Sequence, residues 1–92
     1  MSTYTKIIDA AVKVAEEKGY RQITQADVAD RAGVSPPSVP YYFRKLDNLK
    51  KEVVLRAIKT ENLIIIAQAL VCKDKLIADI SQELKERALA SL

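Results

Sequence analysis

Arg44, Lys45, Lys50, Lys51 and Arg56 crowd into a segment whose only acids are Asp47 and Glu52. The whole +3 charge of the chain resides there, because residues 1–43 and 57–92 are each neutral on balance. Cations grouped in this way suit a regularly spaced polyanion, since each lysine or arginine set against a phosphate releases condensed counterions. A plain solvated lysine face is the competing reading of any charge run. Other chemistries are poorly supplied. Histidine is absent and Cys72 stands alone, so no metal-ligand cluster and no imidazole acid–base pair can be assembled. No glycine-rich phosphate loop and no evident nucleophile is present, so an enzyme is not expected, and neither is a cofactor.

The elements that would position the cationic segment are written just ahead of it. In ITQADVADRAGVS, Thr24 caps a helix over about 25–32, and Asp27 is placed to reach back as a short-armed capping-box partner. Ala26, Val28, Ala29 and Ala32 give that helix an apolar side. Gly33 supplies the positive φ of a tight reversal, and Val34 is a buried-type residue within it. Ser35 then caps a further helix over about 36–43, with Pro36 in its first turn, where a missing N–H costs nothing. Cap, helix, glycine turn, cap and helix spell a helix-turn-helix, a unit that places its second helix in the DNA major groove. Beside that unit, the phosphate-contacting reading of the cations outweighs the solvated one. Phe43 is assigned to the core and Tyr41 to the DNA side, with Tyr42 between the two. Thr24 and Ser35 are caps first and phosphate ligands second.

The rest of the chain reads as helix, with no strand. Ile7, Ala11 and Val14 form the stripe of a first helix over 4–18, widened by Ile8, Val12 and Ala15. Thr3 or Thr5 caps it and Gly19 ends it, with Tyr20 as a lid on the core and Ile23 as an anchor. Asp47 is read as the cap of a fourth helix. With no proline or glycine in residues 41–92, that helix either continues to about Cys72 or breaks near Thr60 to Asn62. Lys73-Asp74-Lys75 forms a corner before a last amphipathic stretch carrying Leu76, Ile77, Ile80, Leu84 and Leu89. Ninety-two residues with 49% apolar content make one domain. The longest apolar run, Leu63 to Ala67, is far short of a membrane span. The absence of a basic-then-apolar leader and the lone cysteine point to a reducing cytoplasm.

Residues 6–49 resemble the DNA-binding module of the TetR family of bacterial repressors. The resemblance is carried by KIIDAAVKVAEEKGY, by ITQADVADRAGVS, and by PPSVPYYF followed by basic residues and Leu49. It implies an all-α fold: a three-helix helix-turn-helix head, TetR- or homeodomain-like, followed by a long fourth helix and a short C-terminal helix. It also implies a dimer whose two heads read a palindrome in double-stranded DNA. By the same resemblance, Gln25 and Ala26 open the second helix near the DNA backbone. Pro36, Pro37, Ser38 and Tyr41 face bases and phosphates, Tyr42 lies at the phosphate-flanked end, and Lys45 stands at the entrance of the fourth helix. Together with Thr24, Ser35, Arg44 and Lys50, these are the expected DNA-binding residues.

The chain departs from the family pattern with Pro40 where a Tyr is usual, Tyr42 where a His is usual and Leu46 where a Lys is usual. Pro40 removes a hydrogen bond to Pro36 and biases Val39 away from helical geometry, so a distorted or partly 3₁₀ element is expected. With Leu46 in the lysine's place, the phosphate anchor passes to Lys45 or Arg44. Arg, Asn and Gln, the usual bidentate base readers, are missing from the third helix. The family's ligand-binding domain has no counterpart in the sequence. A miniature repressor without a small-molecule inducer pocket is favoured over the truncated DNA-binding part of a longer ligand-responsive regulator. A protein-interaction module on the same frame, an anti-repressor or adaptor, is the other alternative. Residues 1–49 are read as the head and 50–92 as a dimerisation extension packed on it. Leu63, Ile64, Ile66, Ala67, Leu70 and Val71 are the expected dimer surface, because a small head cannot cover so apolar a stretch.

Overall fold

Ser2, rather than Thr3 or Thr5, opens the first helix, its hydroxyl accepting the Thr5 N–H at 3.1 Å. In the computed structural model, which describes residues 2–78 and 80–91, α1 spans Thr3–Lys18, α2 Gln25–Ala32 and α3 Ser38–Tyr42. The chain continues through α4 (Leu46–Thr60), α5 (Leu63–Val71) and α6 (Gln82–Ala90), with 3₁₀ turns at Tyr20–Gln22 and Lys75–Ile77. Among the described residues there is no strand, as expected of an all-α chain. The Ile7, Ala11 and Val14 stripe is buried, and Ile23, Val28, Leu49, Val53 and Val54 close around it. Tyr20 is the expected lid on this core, and Phe43 lies inside it.

Of the two courses open to the fourth helix, the chain takes the break near Thr60 to Asn62. Glu61 takes a left-handed conformation (φ 54°), and the Asn62 N–H bonds the Ala57 carbonyl at 2.8 Å, which terminates α4 without a glycine. Asn62 then caps α5 by accepting from the Ile65 N–H, while its amide donates to Glu16 Oε1 at 2.9 Å. Lys73 (φ 56°) ends α5 in the same way, with the Asp74 N–H on the Ala69 carbonyl at 2.9 Å. Asp47 does not cap α4. Lys45 holds that position and Asp47 lies in the first turn, where its charge meets the positive end of the helix dipole. The stretch after Lys75 forms a 3₁₀ turn and α6 rather than one helix; Asp79 and Leu92 lie outside the described residues.

The joint between the first three helices and α5 is polar and saturated. Gln68 accepts the Tyr20 N–H at 2.9 Å, a donor freed where α1 gives way to the 3₁₀ turn, and donates to the Ala15 carbonyl at 2.9 Å, which also takes the Gly19 N–H. The Tyr20 hydroxyl donates to Asp74 Oδ2 at 2.9 Å. Burial first, and the Asp74 carboxylate second, push the Tyr20 phenol up to about 12 from its ordinary 10. The folded chain therefore keeps a proton that the unfolded chain releases. This contribution is complete below pH 10 and disappears between pH 10 and about 12. The denaturant midpoint should fall across that window. Tyr20→Phe should flatten the fall and cost about 1 kcal/mol at neutral pH.

Candidate nucleic-acid interface

The reversal between α2 and α3 is built as the residue types require. The Thr24 hydroxyl accepts the Asp27 N–H at 3.1 Å, leaving Gln25 and Ala26 exposed on the first turn of α2. Gly33 sits at φ 69°, its N–H on the Asp30 carbonyl at 3.2 Å and the Val34 N–H on the Ala29 carbonyl at 3.1 Å. Two ion pairs hold α2 against α1: Arg31 to Glu17 at 2.6 Å, and Lys18 to Asp27 at 3.0 Å. Asp27 is thus turned toward Lys18 and not back to the cap. Arg31 lowers the Glu17 pKa, and Lys18, then Thr24, lower that of Asp27. These clasps act in full above the ordinary values of 4.5 and 3.8 and are lost as pH falls through the depressed ones. Acid should therefore loosen α2 from α1. The stability difference between pH 6 and pH 3, read by urea titration, should shrink in Glu17→Gln.

Past the glycine turn, Ser35 does not cap through a backbone N–H. Its hydroxyl pairs with that of Ser38 at 2.9 Å, while its carbonyl accepts the Ser38 N–H at 2.9 Å. The Pro36 carbonyl, which Pro40 cannot reach with an N–H, takes the Val39 N–H at 3.2 Å instead. This is the partly 3₁₀ opening expected of a proline-bearing element, and it confines α3 to Ser38–Tyr42. Val39 stays helical despite the proline after it. Pro40 falls in the first turn of so short a helix, where an N–H has no intrahelical partner in any case. Val39 and Phe43 point inward, Tyr41 is 78% exposed, and Tyr42 is 41% exposed. Pro36 and Pro37 are exposed and Ser38 is half-buried. Thr3, Ser35, Pro37, Ser38, Tyr41 and Tyr42 line one open groove of about 330 Å³.

Arg44 and Lys45 follow at once, both exposed in the turn between α3 and α4. Leu46, at the position of the family's usual lysine, packs against the core. The other cations are not gathered with them. Arg56 pairs with Asp9 at 2.8 Å and ties α4 to α1. Lys50 lines a separate cleft of about 370 Å³ with Tyr20, Arg21, Lys51 and Leu76, where Asp47 and Asp74 offset the cations. Only Arg44 and Lys45 of the basic segment therefore adjoin α3. Tyr4 is the site residue that the sequence reading missed. Its ring lies on Phe43 and against Tyr42, and an aromatic one turn ahead of Ile7 was the available signal.

The expected dimer surface is only partly free. Ile66 and Ala67 turn into the protomer's own core with Ile65 and Ala69, since α1, α4 and α6 all pack on α5, and they leave that list. Ile64 (51%) and Val71 (66%) remain exposed, with Leu63 and Leu70 half-buried. Cys72 is also exposed, at the end of α5. No helix among the described residues is long and apolar enough to cross a membrane.

These features of the first four helices agree with known proteins. Residues 7–53, just over half of the chain, match the family described as bacterial regulatory proteins, tetR family. The chain is also 39% identical over 46 residues to the fatty acid metabolism regulator protein of Bacillus subtilis (strain 168), a stretch that is 50% of this chain and 24% of that relative. No solved structure matches. With its capped α2, Gly33 reversal and exposed α3 inside the matched segment, the chain belongs to the tetR family of bacterial regulatory proteins.

Proposed function

We propose that the chain is a sequence-specific DNA-binding transcriptional regulator, working as a homodimer that represses by occupying a palindromic operator. The observation that carries this reading is the display of α3. Val39 and Phe43 pin one side of it inside while Tyr41 projects, with exposed Arg44 and Lys45 directly behind. Phosphate contacts from Arg44, Lys45, Thr24 and the first turn of α2 would set register. Base reading would rest on Ser38, the tyrosine hydroxyls and contact of Pro37 with a thymine methyl. In this reading residues 1–49 are the head and 50–92 the dimerisation extension, and two α3 helices lie about one DNA turn apart, roughly 34 Å. The stretch shared with the Bacillus relative is 46 residues and 24% of that protein, so its metabolic role is not carried over.

Selection from a pool of random duplexes at low salt tests the proposal. An enriched motif with two-fold symmetry is the expected outcome, and footprinting on DNA flanking the chain's own gene should protect a matching site. Lack of preference for any duplex would remove the DNA assignment.

A further inference from the structure

α3 is poorly equipped to hold its own shape. Five residues are too few to repay helix nucleation. Its helix-to-helix packing is on α2, and the residues at its far end, Tyr41 and Tyr42, are exposed. At that end stands Tyr4, from the first turn of α1. The Tyr4 ring stacks on Phe43 with centroids 5.1 Å apart and planes 21° apart. It also meets Tyr42 edge-on at 6.2 Å and 68°. Tyr42 in turn meets Tyr41 edge-on at 5.0 Å and 84°. Four rings thus run unbroken from the core at Phe43 to solvent at Tyr41, with separations at which aromatic pairs attract beyond simple burial.

We infer that Tyr4 is a positioning residue for DNA recognition, holding Tyr42, and through it Tyr41, on a helix that cannot hold them itself. The inference rests on the proposed role of α3. Tyr4 acts through its ring, not as a reader of bases. Its neighbour Thr3 lines the same groove as Ser38, Tyr41 and Tyr42, so the first turn of α1 borders the recognition surface. The side chain is itself 40% exposed, so its truncation should leave the fold standing.

Tyr4→Ala and Tyr4→Phe separate the possibilities, with binding to a selected duplex, binding to an unrelated duplex, and amide hydrogen exchange of the free protein as readouts. Tyr4→Ala should weaken the selected duplex by about 3- to 10-fold per head, the worth of one or two aromatic contacts. It should leave the unrelated duplex and the salt slope unchanged, since no charge is removed. Tyr4→Phe should restore binding. In the free protein, exchange at the Tyr41 and Phe43 amides, which bond the Pro37 and Val39 carbonyls, should quicken in Tyr4→Ala while α2 and α4 stay protected. Equal loss on both duplexes, failure of Tyr4→Phe to rescue, or unchanged exchange would each overturn the inference. If the wild-type chain preferred no duplex, the DNA reading and the recognition role would fall together. The exchange result would still decide whether Tyr4 holds α3.

Discussion

Replacing Arg44 and Lys45 together by alanine is expected to weaken binding to every duplex alike. Both side chains are exposed in the turn after α3, and neither forms an ion pair among the described residues, so both are placed to meet phosphates. Two contacts per head make four in a dimer, and each contributes about 0.9 to the slope of log affinity against log salt. With three or four phosphate contacts per head, the wild-type slope should be roughly −5 to −7, and the double variant should be shallower by roughly 3 to 4. Near 0.1 M salt the lost counterion release corresponds to about a thousandfold in affinity. Fluorescence anisotropy over a salt series measures both quantities. Tyr41→Ala provides the contrast: it should reduce discrimination by about 1–3 kcal/mol and leave the slope intact. An unchanged slope in the cation variant, or a loss limited to one sequence, would contradict this division of roles.

Ile64→Glu combined with Val71→Glu should convert the proposed dimer to a monomer. The two residues lie seven apart, nearly in line on one face of α5, and both are more than half exposed. Charge there should change protomer stability little, whereas a two-fold contact meets each substitution twice. Sedimentation at micromolar concentration should show the mass of one chain, and affinity for a palindrome should fall at least about 100-fold as the second head is lost. A variant that stays dimeric would move the contact to another face. A monomer that binds the palindrome unchanged would mean that the heads act singly.

How far the sequence could be read depended on whether the deciding interaction was local. Thr24, Gly33 and the Ile7, Ala11 and Val14 stripe each act within one or two turns, and each stands where the residue pattern put it. The break at Glu61 is one of the two courses the pattern left open, since neither proline nor glycine marks it. Its left-handed backbone carries a side chain, a conformation that costs about 1–2 kcal/mol and that surrounding contacts must supply. The partners of Gln68, Tyr20 and Ala15, lie far away in sequence, and no local pattern marks them. Arg56 counted toward the basic segment because its partner, Asp9, lies on another helix. Pro40 mattered less than its type suggests, because the helix around it is too short to miss the bond. The three-helix head was thus legible. The sorting of Ile64 and Val71 from Ile66 and Ala67 was not, since it depends on which side of α5 the neighbouring helices occupy.

The corner at Glu61 has a further consequence. Residues 41–92 contain neither proline nor glycine, so no covalent feature forbids a straight path from α4 into α5. What bends the chain is the Asn62 cap with its grip on Glu16, and the Arg87 clasp on Glu61. Return of both Glu61 and Asn62 to ordinary helical torsions would be needed to fuse the two helices into an uninterrupted rod, and it would pull Ile65 and Ile66 from their buried places. The bend is thus set by side-chain grips and by the buried face of α5, not by the covalent chain.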